Sequence, residues 1–369
     1  MKKKIIVSSN TCWNICNFRF NLIKKILDEN YIVYILANID KSSFKLKEIG
    51  CEVLPLKFSR KKKSIFELFY LLYKYLYYFL KIKPDLYFSF TLKPNLVGGL
   101  CANILNIKSI INFTGLGTLI LNNTIINRII IKFLQFSLKK SSCVFFHNEN
   151  DLKIFKNANN RNKINYNIIQ GSGVDLDKFN FYSLNSDKNL VFLFLGRFIK
   201  DKGIIEFIKA ANILKKKYNN INFVAIGDYD YDNISSIKEK DILDLNKSNN
   251  VEIIGFQNNI LNHLIRASCV VLPSYREGMS KSLLEACSVG RPIIASNVPG
   301  CKEIVKDNHN GFLCEARDYK NLADQIEKFI KLKYDEKKLF GKRSRNIAEK
   351  KFDEKLVISR YMDEINKYV

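Results

Sequence analysis

The residues with the clearest chemical potential are two glutamates, Glu277 and Glu285, which enclose seven residues in the segment EGMSKSLLE. An apolar run before them predicts a buried strand, and a helical pattern starts just after residue 280. N–H groups at the start of a helix have no acceptor within it and can bind an anion, while carboxylates accept hydrogen bonds from sugar or ribose hydroxyls. The backbone groups expected at this turn belong to Gly278, Met279 and Ser280. The other interpretation is a capped helix with an exposed glutamate.

A second segment, GRFIKDKG at residues 196–203, also lies between a predicted strand and a predicted helix. Arg197 can bind a phosphate through two parallel donors, and Lys202 can add a point charge. Together with a helix N-terminus, these groups would bind a diphosphate and stabilise it as a leaving group. A solvated basic loop would have the same composition, so the segment alone leaves both interpretations open.

Two loops in the first half of the chain are candidates for an acceptor side. The segment 8–19 follows the first predicted strand, and the segment 114–117 (TGLG) follows the run Ile110–Phe113. Loops that follow parallel strands meet at one edge of a sheet, so these two should lie near each other. Ordinary loop chemistry is the alternative. The residues that would face an acceptor, with the guanidinium meeting phosphate, are Asn10, Asn17, Arg19, Thr114 and Gly115.

Other patterns resemble metal sites, but we interpret them differently. Asp228-Tyr229-Asp230 has Asp-x-Asp spacing, yet it follows a predicted strand at Gly227, where a polar loop is expected. The three histidines, at 147, 263 and 309, are far apart in sequence, and none of the nine cysteines forms a CxxC pair. We therefore predict no metal ion and no cofactor, and we interpret the histidines as structural.

The elements that would position these residues alternate as short apolar runs and helical patterns, which predicts parallel sheets covered by helices. The pattern starts at residues 5–7, continues to residue 147 and begins again at Leu190–Leu195. We predict an α/β protein with two doubly wound, Rossmann-like domains facing a cleft, followed by C-terminal helices. The predicted boundaries are an N-terminal domain at 1–175, a linker at 176–188, a C-terminal domain at 189–350, and a helix at 351–369 that packs towards the N-terminal domain.

Charge is distributed unevenly along the 369 residues, which carry a formal net charge of +24. Residues 1–180 hold 28 Lys and Arg against 11 Asp and Glu, which suggests that the first half meets something anionic. A merely basic, soluble surface is the alternative. The stretch Lys57–Pro84 joins a basic cluster to a helix rich in Phe, Tyr and Leu. Such a helix is suited to bind an anionic membrane surface. A helix buried on the sheet with one charged end would have the same pattern, and both interpretations have equal weight.

The expected location is the cytoplasm. The first residues, MKKKIIVSSN, have too short an apolar run for a signal peptide, and the scattered cysteines suggest reduced thiols. The most apolar candidate span, Ser64–Ile82, is interrupted by charged residues.

The second half resembles the retaining glycosyltransferases of family 4, which have the two-domain GT-B fold. The matching segments are GRFIKDKG (196–203), VVLPSYREGMSKSLLEACSVGRPIIAS (270–296), VPGCKEIV (298–305) and HNGFL (309–313). GSGVDLDKF (171–179) resembles the segment between the family's domains. The N-terminal stretch SSNTCWNICNFRFNLIKKI is similar to bacterial members that build O-antigen, capsule and related glycans, including N-acetylgalactosaminyl transferases.

The resemblance implies a role for each matching residue. Arg197 and Lys202 would hold the diphosphate, Glu277 would contact the donor sugar, and Glu285 would hold the ribose. The family retains anomeric configuration and needs no metal. The remaining donor-binding positions that it implies are Gly196, Gly278, Met279, Ser280 and Leu283. Cys12-Trp13-Asn14 replaces a frequent Gly-Gly pair and Thr114-Gly115 replaces a frequent histidine, so no general base is assigned.

The resulting hypothesis is transfer of a hexose or N-acetylhexosamine from a UDP-sugar to a polyprenyl-diphosphate-linked glycan at the inner face of the membrane. Two alternatives belong to other classes. One is a nucleic-acid-binding protein that uses the basic first half, although no nucleic-acid-binding module is recognisable and nucleic acid is not an expected partner. The other is a GT-B sugar-nucleotide epimerase.

Overall fold

A computed structural model describes residues 2–58, 65–116, 125–157, 164–184 and 188–369. The chain divides into two compact units. Unit 1 comprises residues 1–172 and 355–369, and unit 2 comprises residues 173–354. The segment 176–188, which the sequence predicts as a linker, belongs to unit 2. Phe179 and Leu184 are buried there, and Ser288 donates a hydrogen bond from its hydroxyl to the carbonyl of Phe179.

Unit 1 contains a seven-stranded parallel sheet of order β3-β2-β1-β4-β5-β6-β7. Strands β4 and β6 are buried along their whole length, as expected of a parallel sheet covered on both faces. The strands are β1 (Lys4–Thr11), β2 (Ile32–Asn38), β3 (Glu52–Pro55), β4 (Leu86–Phe90), β5 (Lys108–Phe113), β6 (Cys143–Phe146) and β7 (Tyr166–Ile168).

Helices connect these strands. The first begins at Thr11, whose side-chain oxygen accepts a hydrogen bond from the backbone N–H of Asn14 and so caps the helix. The helices are α1 (Cys12–Asp28), α2 (Ser43–Glu48), α3 (Ile65–Ile82), α4 (Gly99–Ile104, preceded by a π-helical turn at Pro94–Gly98), α5 (Ile125–Ser137) and α6 (Glu149–Asn157).

Unit 2 contains a six-stranded parallel sheet of order β10-β9-β8-β11-β12-β13. Its strands are β8 (Leu190–Leu195), β9 (Ile221–Ile226), β10 (Val251–Ile254), β11 (Cys269–Leu272), β12 (Ile293–Ser296) and β13 (Gly311–Cys314). Its helices are α7 (Ile204–Leu214), α8 (Glu239–Leu245), α9 (Leu261–Arg266), α10 (Lys281–Ser288), α11 (Tyr319–Lys331) and α12 (Tyr334–Ile347). Two such sheets confirm the prediction of two Rossmann-like α/β domains.

The last helix, α13 (Glu354–Tyr368), follows a π-helical turn at Ala348–Phe352, and all of it beyond residue 354 belongs to unit 1. Tyr361 and Ile365 are fully buried in the core of unit 1. The Tyr361 hydroxyl donates a 3.0 Å hydrogen bond to the side-chain oxygen of Asn112 on β5. The helix is therefore part of the packing of unit 1.

Candidate active site

The carboxyl edge of the unit 2 sheet brings the two motif segments together. β9 follows β8 in the chain and lies on one side of it, whereas β11 lies on the other side, so the strand order reverses between β8 and β11. Such a switch point leaves a crevice in which α/β proteins bind ligands. The segments 196–203 and 273–280 leave these two neighbouring strands. The backbone N–H of Tyr275 donates a 2.8 Å hydrogen bond to the carbonyl of Asp201, which joins them.

Two glycines with positive φ allow this close approach. Gly203 has φ +75°, and a Cβ atom there would lie 2.1 Å from the carbonyl oxygen of Pro273. Gly300, in the segment after β12, has φ +84°, and a Cβ atom there would lie 2.5 Å from the Cβ of Glu277. Only glycine fits positions with both constraints. The motif glutamate is thus held between the segments that follow β8 and β12.

Lys202 and Glu277 form an ion pair at the centre of this edge, with Nζ against Oε1. The same oxygen accepts a 2.7 Å hydrogen bond from the Ser274 hydroxyl. The side chains of Lys202 and Glu277 are only 19% and 10% exposed, so the pair is largely screened from water. A basic group and a hydrogen-bonding carboxylate therefore lie within contact distance of each other at this edge.

Arg197 has a partner that the sequence did not predict. Its guanidinium lies 2.5 Å from the carboxylate of Asp230, which is 11% exposed, while Arg197 itself is 45% exposed. Asp230 is the last residue of the Asp-x-Asp pattern that we interpreted as a polar loop. The contact could have been anticipated from topology, because the loops that follow two adjacent strands, β8 and β9, must lie side by side. Across the described ranges, no group of three His, Cys, Asp or Glu side chains could hold a metal ion.

Helix α10 presents its N-terminus to the same edge. Ser280 is its N-cap, and the half-buried Gly278 and Met279 precede it. Glu285, one turn further along the helix, is 7% exposed, and burial raises the pKa of its carboxyl although Lys281 and Lys178 oppose the shift. The Lys281 ammonium lies 4.0 Å from the carboxylate. A buried carboxylate is well suited to accept hydrogen bonds from hydroxyl groups.

The structure corrects the role expected for the Leu283 side chain. It was expected among the donor-binding residues, but its side chain is fully buried in the core of unit 2. It lies on a helix whose residues 283–288 are all buried, so its side chain serves packing. Only its backbone N–H, in the first turn of α10, is placed to meet a ligand.

Gly196 and Gly227 have opposite steric situations. A Cβ atom at Gly227 would lie 1.9 Å from the carbonyl oxygen of Gly196. A Cβ atom at Gly196 would lie 3.7 Å from its nearest neighbour in the described part of the chain, the Leu272 side chain. The fold therefore requires glycine at 227, whereas Gly196, which the resemblance places near the donor, has room for a side chain.

In unit 1, most of the predicted acceptor-side residues are half-buried at the carboxyl edge of the sheet. The Asn10 side chain accepts a 2.9 Å hydrogen bond from the Thr91 hydroxyl. Asn17, Thr114 and Gly115 are also half-buried. Gly117 of the same predicted loop lies outside the described residues. These positions stay predictions for the acceptor.

Arg19 lies in the interior of unit 1. It is 4% exposed, its guanidinium carbon is 4.7 Å from the centre of the Phe90 ring, and it donates a 2.7 Å hydrogen bond to the carbonyl of Phe18. Burial lowers the pKa of Arg19. The sequence placed this residue against an acceptor phosphate, and the structure instead places it against aromatic rings, because α1 directs position 19 towards the core.

His147 is also buried, just after β6, and its Nε2 lies 3.2 Å from the side-chain nitrogen of Asn112. Burial, with the nearby charge of Arg19, lowers the pKa of His147 well below 6.5, so its ring is neutral at physiological pH. Among the residues that the structure describes, its Nδ1 and the Nε of Arg19 have no hydrogen-bond partner. The structure joins His147 to Asn112, which in turn accepts the hydrogen bond from Tyr361.

Comparison with known proteins identifies the part of the chain that carries the donor motifs. Residues 177–347 match the family model described as "Glycosyl transferases group 1". These residues are a group 1 glycosyltransferase domain. It contains every residue that we assigned to the donor site, from Gly196 to Glu285.

Two bacterial glycosyltransferases are among the proteins that this chain resembles. The chain is 28% identical over 374 residues to "N,N'-diacetylbacillosaminyl-diphospho-undecaprenol alpha-1,3-N-acetylgalactosaminyltransferase" of Campylobacter jejuni, with 95% of this chain and 94% of the relative covered. It is 31% identical over 169 residues to "UDP-Gal:alpha-D-GlcNAc-diphosphoundecaprenol alpha-1,3-galactosyltransferase" of Escherichia coli, with 42% and 43% covered. The resemblance to bacterial transferases of lipid-linked glycans is therefore confirmed.

Solved glycosyltransferase structures have the same fold. Anabaena Alr3699/HepE, crystallised with UDP and glucose, superposes with a TM-score of 0.80 at 18% identity over 99% of both chains. Sucrose-phosphate synthase from Thermosynechococcus elongatus gives a TM-score of 0.81 at 16% identity, again over 99% of both chains. At these identities the similarity concerns the fold, and it confirms the GT-B prediction.

Proposed function

We propose that this glycosyltransferase moves a hexose or N-acetylhexosamine from a UDP-sugar to a polyprenyl-diphosphate-linked glycan, with retention of anomeric configuration. The observation that carries the proposal is the Lys202–Glu277 pair, held beside the N-terminus of α10 at the switch point of the sheet. Relatives whose names include a UDP-sugar or a diphospho-undecaprenol glycan support the choice of substrates.

Donor binding follows from the charges at this edge. Arg197 and Lys202 would contact the diphosphate together with the first N–H groups of α10, and the buried Glu285 would accept hydrogen bonds from the ribose hydroxyls. Glu277 would contact the hydroxyls of the donor sugar. Lys202 would then exchange part of its interaction with Glu277 for one with phosphate.

The chemical step breaks the bond between the anomeric carbon and the β-phosphate oxygen, and the electron pair leaves with UDP. An acceptor hydroxyl forms the new bond on the same face of the sugar, and its proton moves to the departing phosphate oxygen. Negative charge on UDP rises in the transition state, where fixed positive groups stabilise it most effectively. Arg197, Lys202 and the α10 N-terminus supply that charge in this proposal, which assigns no role to a metal or cofactor.

A surface of unit 1 fits an anionic membrane. Helix α3 exposes aromatic side chains, among them Phe66 (82% exposed), Phe69 and Tyr73, while Lys74 and Lys81 lie over neighbouring tyrosine rings. Exposed apolar groups with nearby lysines favour binding at a lipid interface. Residues 59–64, which include most of the predicted basic cluster, lie outside the described residues. In the described part of the chain, no helix is long and apolar enough to cross a membrane.

Helix α5 of the same unit also exposes apolar side chains. Its Ile129, Phe133 and Phe136 are 60%, 47% and 58% exposed. Helix α4 connects to α5 through a 3.3 Å hydrogen bond from the Asn103 side chain to the carbonyl of Phe136. We propose peripheral binding to the cytoplasmic face of the membrane through α3 and α5, where a lipid-linked acceptor would be available.

Two experiments test these proposals. The purified protein should release UDP from at least one UDP-sugar only when a polyprenyl-diphosphate-linked acceptor is present, EDTA should not change the rate, and NMR of the product should show the donor's anomeric configuration. Altered UDP-sugar without acceptor would indicate an epimerase, and no turnover with any nucleotide sugar would contradict the proposal. Phe66→Ser with Phe69→Ser should reduce sedimentation with anionic vesicles, whereas Phe256→Ser, at a phenylalanine of unit 2 that is 54% exposed, should not. Equal sedimentation of all three proteins would contradict membrane binding through α3.

A further inference from the structure

The segment after β9 lies along the segment that carries Arg197. The backbone N–H of Phe198 donates a 2.8 Å hydrogen bond to the carbonyl of Asp228, and the N–H of Lys200 donates a 2.9 Å hydrogen bond to the carbonyl of Ser235. The rings of Phe198 and Tyr229 also meet edge to face, with their centres 5.4 Å apart. These contacts join the 228–235 backbone to the 197–200 backbone, and none of the three involves the Asp230 carboxylate.

The Asp230 carboxylate is thereby placed on the guanidinium of Arg197, at 2.5 Å. The proposed diphosphate site needs the same guanidinium. A carboxylate and a phosphate compete for the same planar donor groups, because both accept the paired hydrogen bonds that a guanidinium offers. The Asp230 carboxylate is therefore already paired with the guanidinium that would bind the donor diphosphate.

We propose that Asp230 is an internal competitor of the donor diphosphate: it binds Arg197 in the empty site, is displaced when the nucleotide binds, and returns as UDP leaves. Asp230 would thus set the affinity for the nucleotide and favour product release. This inference rests on the proposed function, in that Arg197 must contact the diphosphate.

The opposite role, in which Asp230 only orients Arg197 for the ligand, predicts an effect of the opposite sign. If Asp230 competes, neutralising it frees the guanidinium, whose 45% exposure lets water solvate it at little cost. If Asp230 orients Arg197, neutralising it weakens nucleotide binding. An ion pair with one exposed member is worth little, so removing the competitor should tighten binding by about three- to fivefold.

The test is calorimetric titration of the full chain with UDP and, separately, with inorganic pyrophosphate, which carries the diphosphate charge without the nucleoside. Asp230→Asn should lower both dissociation constants by that factor, and Asp230→Glu should stay close to wild type. Asp232→Asn removes the same charge from an exposed position of the same segment and should change them by less than about twofold. In an Arg197→Gln background, Asp230→Asn should have no effect.

Three results would overturn the inference. Weaker binding by Asp230→Asn, with an unchanged melting temperature, would make Asp230 an orienting residue. Equal changes in UDP affinity for Asp230→Asn and Asp232→Asn would mean that net charge alone causes the change. Tighter binding by Asp230→Asn in the Arg197→Gln background would mean that Asp230 does not act through the guanidinium. Failure of the wild-type protein to bind UDP at all would instead contradict the proposed function, so the two failures are distinguishable.

Discussion

Replacing Lys202 by glutamine should destabilise unit 2 more than replacing Glu277 by glutamine. Glu277 is 10% exposed, so without Lys202 its carboxylate would be a largely buried charge that keeps the hydrogen bond from the Ser274 hydroxyl. Removing one member of a fully buried pair costs about 3–5 kcal/mol, and the partial exposure of this pair reduces the expected cost of Lys202→Gln to about 1–3 kcal/mol. Glu277→Gln should cost about 1 kcal/mol or less, because the flexible lysine can turn its ammonium to water.

The double variant Lys202→Gln, Glu277→Gln separates stability from activity. With both charges removed, the loss should be smaller than the sum of the single losses by about 1–2 kcal/mol, since neither charge is left without its partner. Turnover should nevertheless stay about 10²–10³-fold below wild type in all variants that lack Lys202. Urea unfolding and UDP-release rates measure the two quantities. Additive stability losses would refute the ion-pair reasoning, and a fully active double variant would refute the assignment of both residues to the donor site.

Other predictions concern space, pH and the last helix. Gly196→Ala should leave the melting temperature within about 2 °C of wild type but weaken UDP binding at least tenfold. Gly227→Ala should destabilise unit 2 by several kcal/mol. A larger fall in melting temperature for Gly196→Ala than for Gly227→Ala would contradict the steric argument. Burial raises the pKa of the Glu285 carboxyl, so the folded state binds that proton more tightly than the unfolded state. The contribution of this group to the free energy of unfolding should therefore fall as pH rises above 4.5. Glu285→Gln should abolish that fall when unfolding is measured at several pH values, and it should also weaken UDP binding. Tyr361→Phe should cost about 1 kcal/mol in urea unfolding because Asn112 loses its donor, and a cost near zero would mean that this hydrogen bond contributes nothing.

Much of the fold could be predicted because local patterns determine it. Apolar runs such as Leu190–Leu195 lie buried between helices, and a parallel sheet requires that kind of strand. The two donor segments follow two such strands, so their meeting at one edge was a consequence of topology. The ion pair of Lys202 with Glu277 follows from that meeting, although its existence needed the glycines at 203 and 300 to bring the segments into contact.

The directions of individual side chains were less accessible. Arg19 is basic and follows a strand, which favours a ligand-facing position, but its surroundings include Phe90 and Tyr361, and the latter comes from the opposite end of the chain. Leu283 lies on a helix whose residues 283–288 are all buried, so the sequence could not separate a packing role from a binding role. Asp230 pairs with Arg197 because the segments after β8 and β9 lie side by side, and the side-chain contact depends on the backbone hydrogen bonds between them.

The most direct test of the central claim, that the edge of unit 2 holds a UDP-sugar for transfer, is a single-turnover assay with a radiolabelled UDP-sugar and a polyprenyl-diphosphate-linked acceptor. Wild-type protein should transfer label to the lipid fraction and release one UDP per sugar transferred. Glu277→Gln should bind UDP about as well as wild type and transfer at least 10²-fold more slowly. Transfer at the wild-type rate by Glu277→Gln would contradict the account.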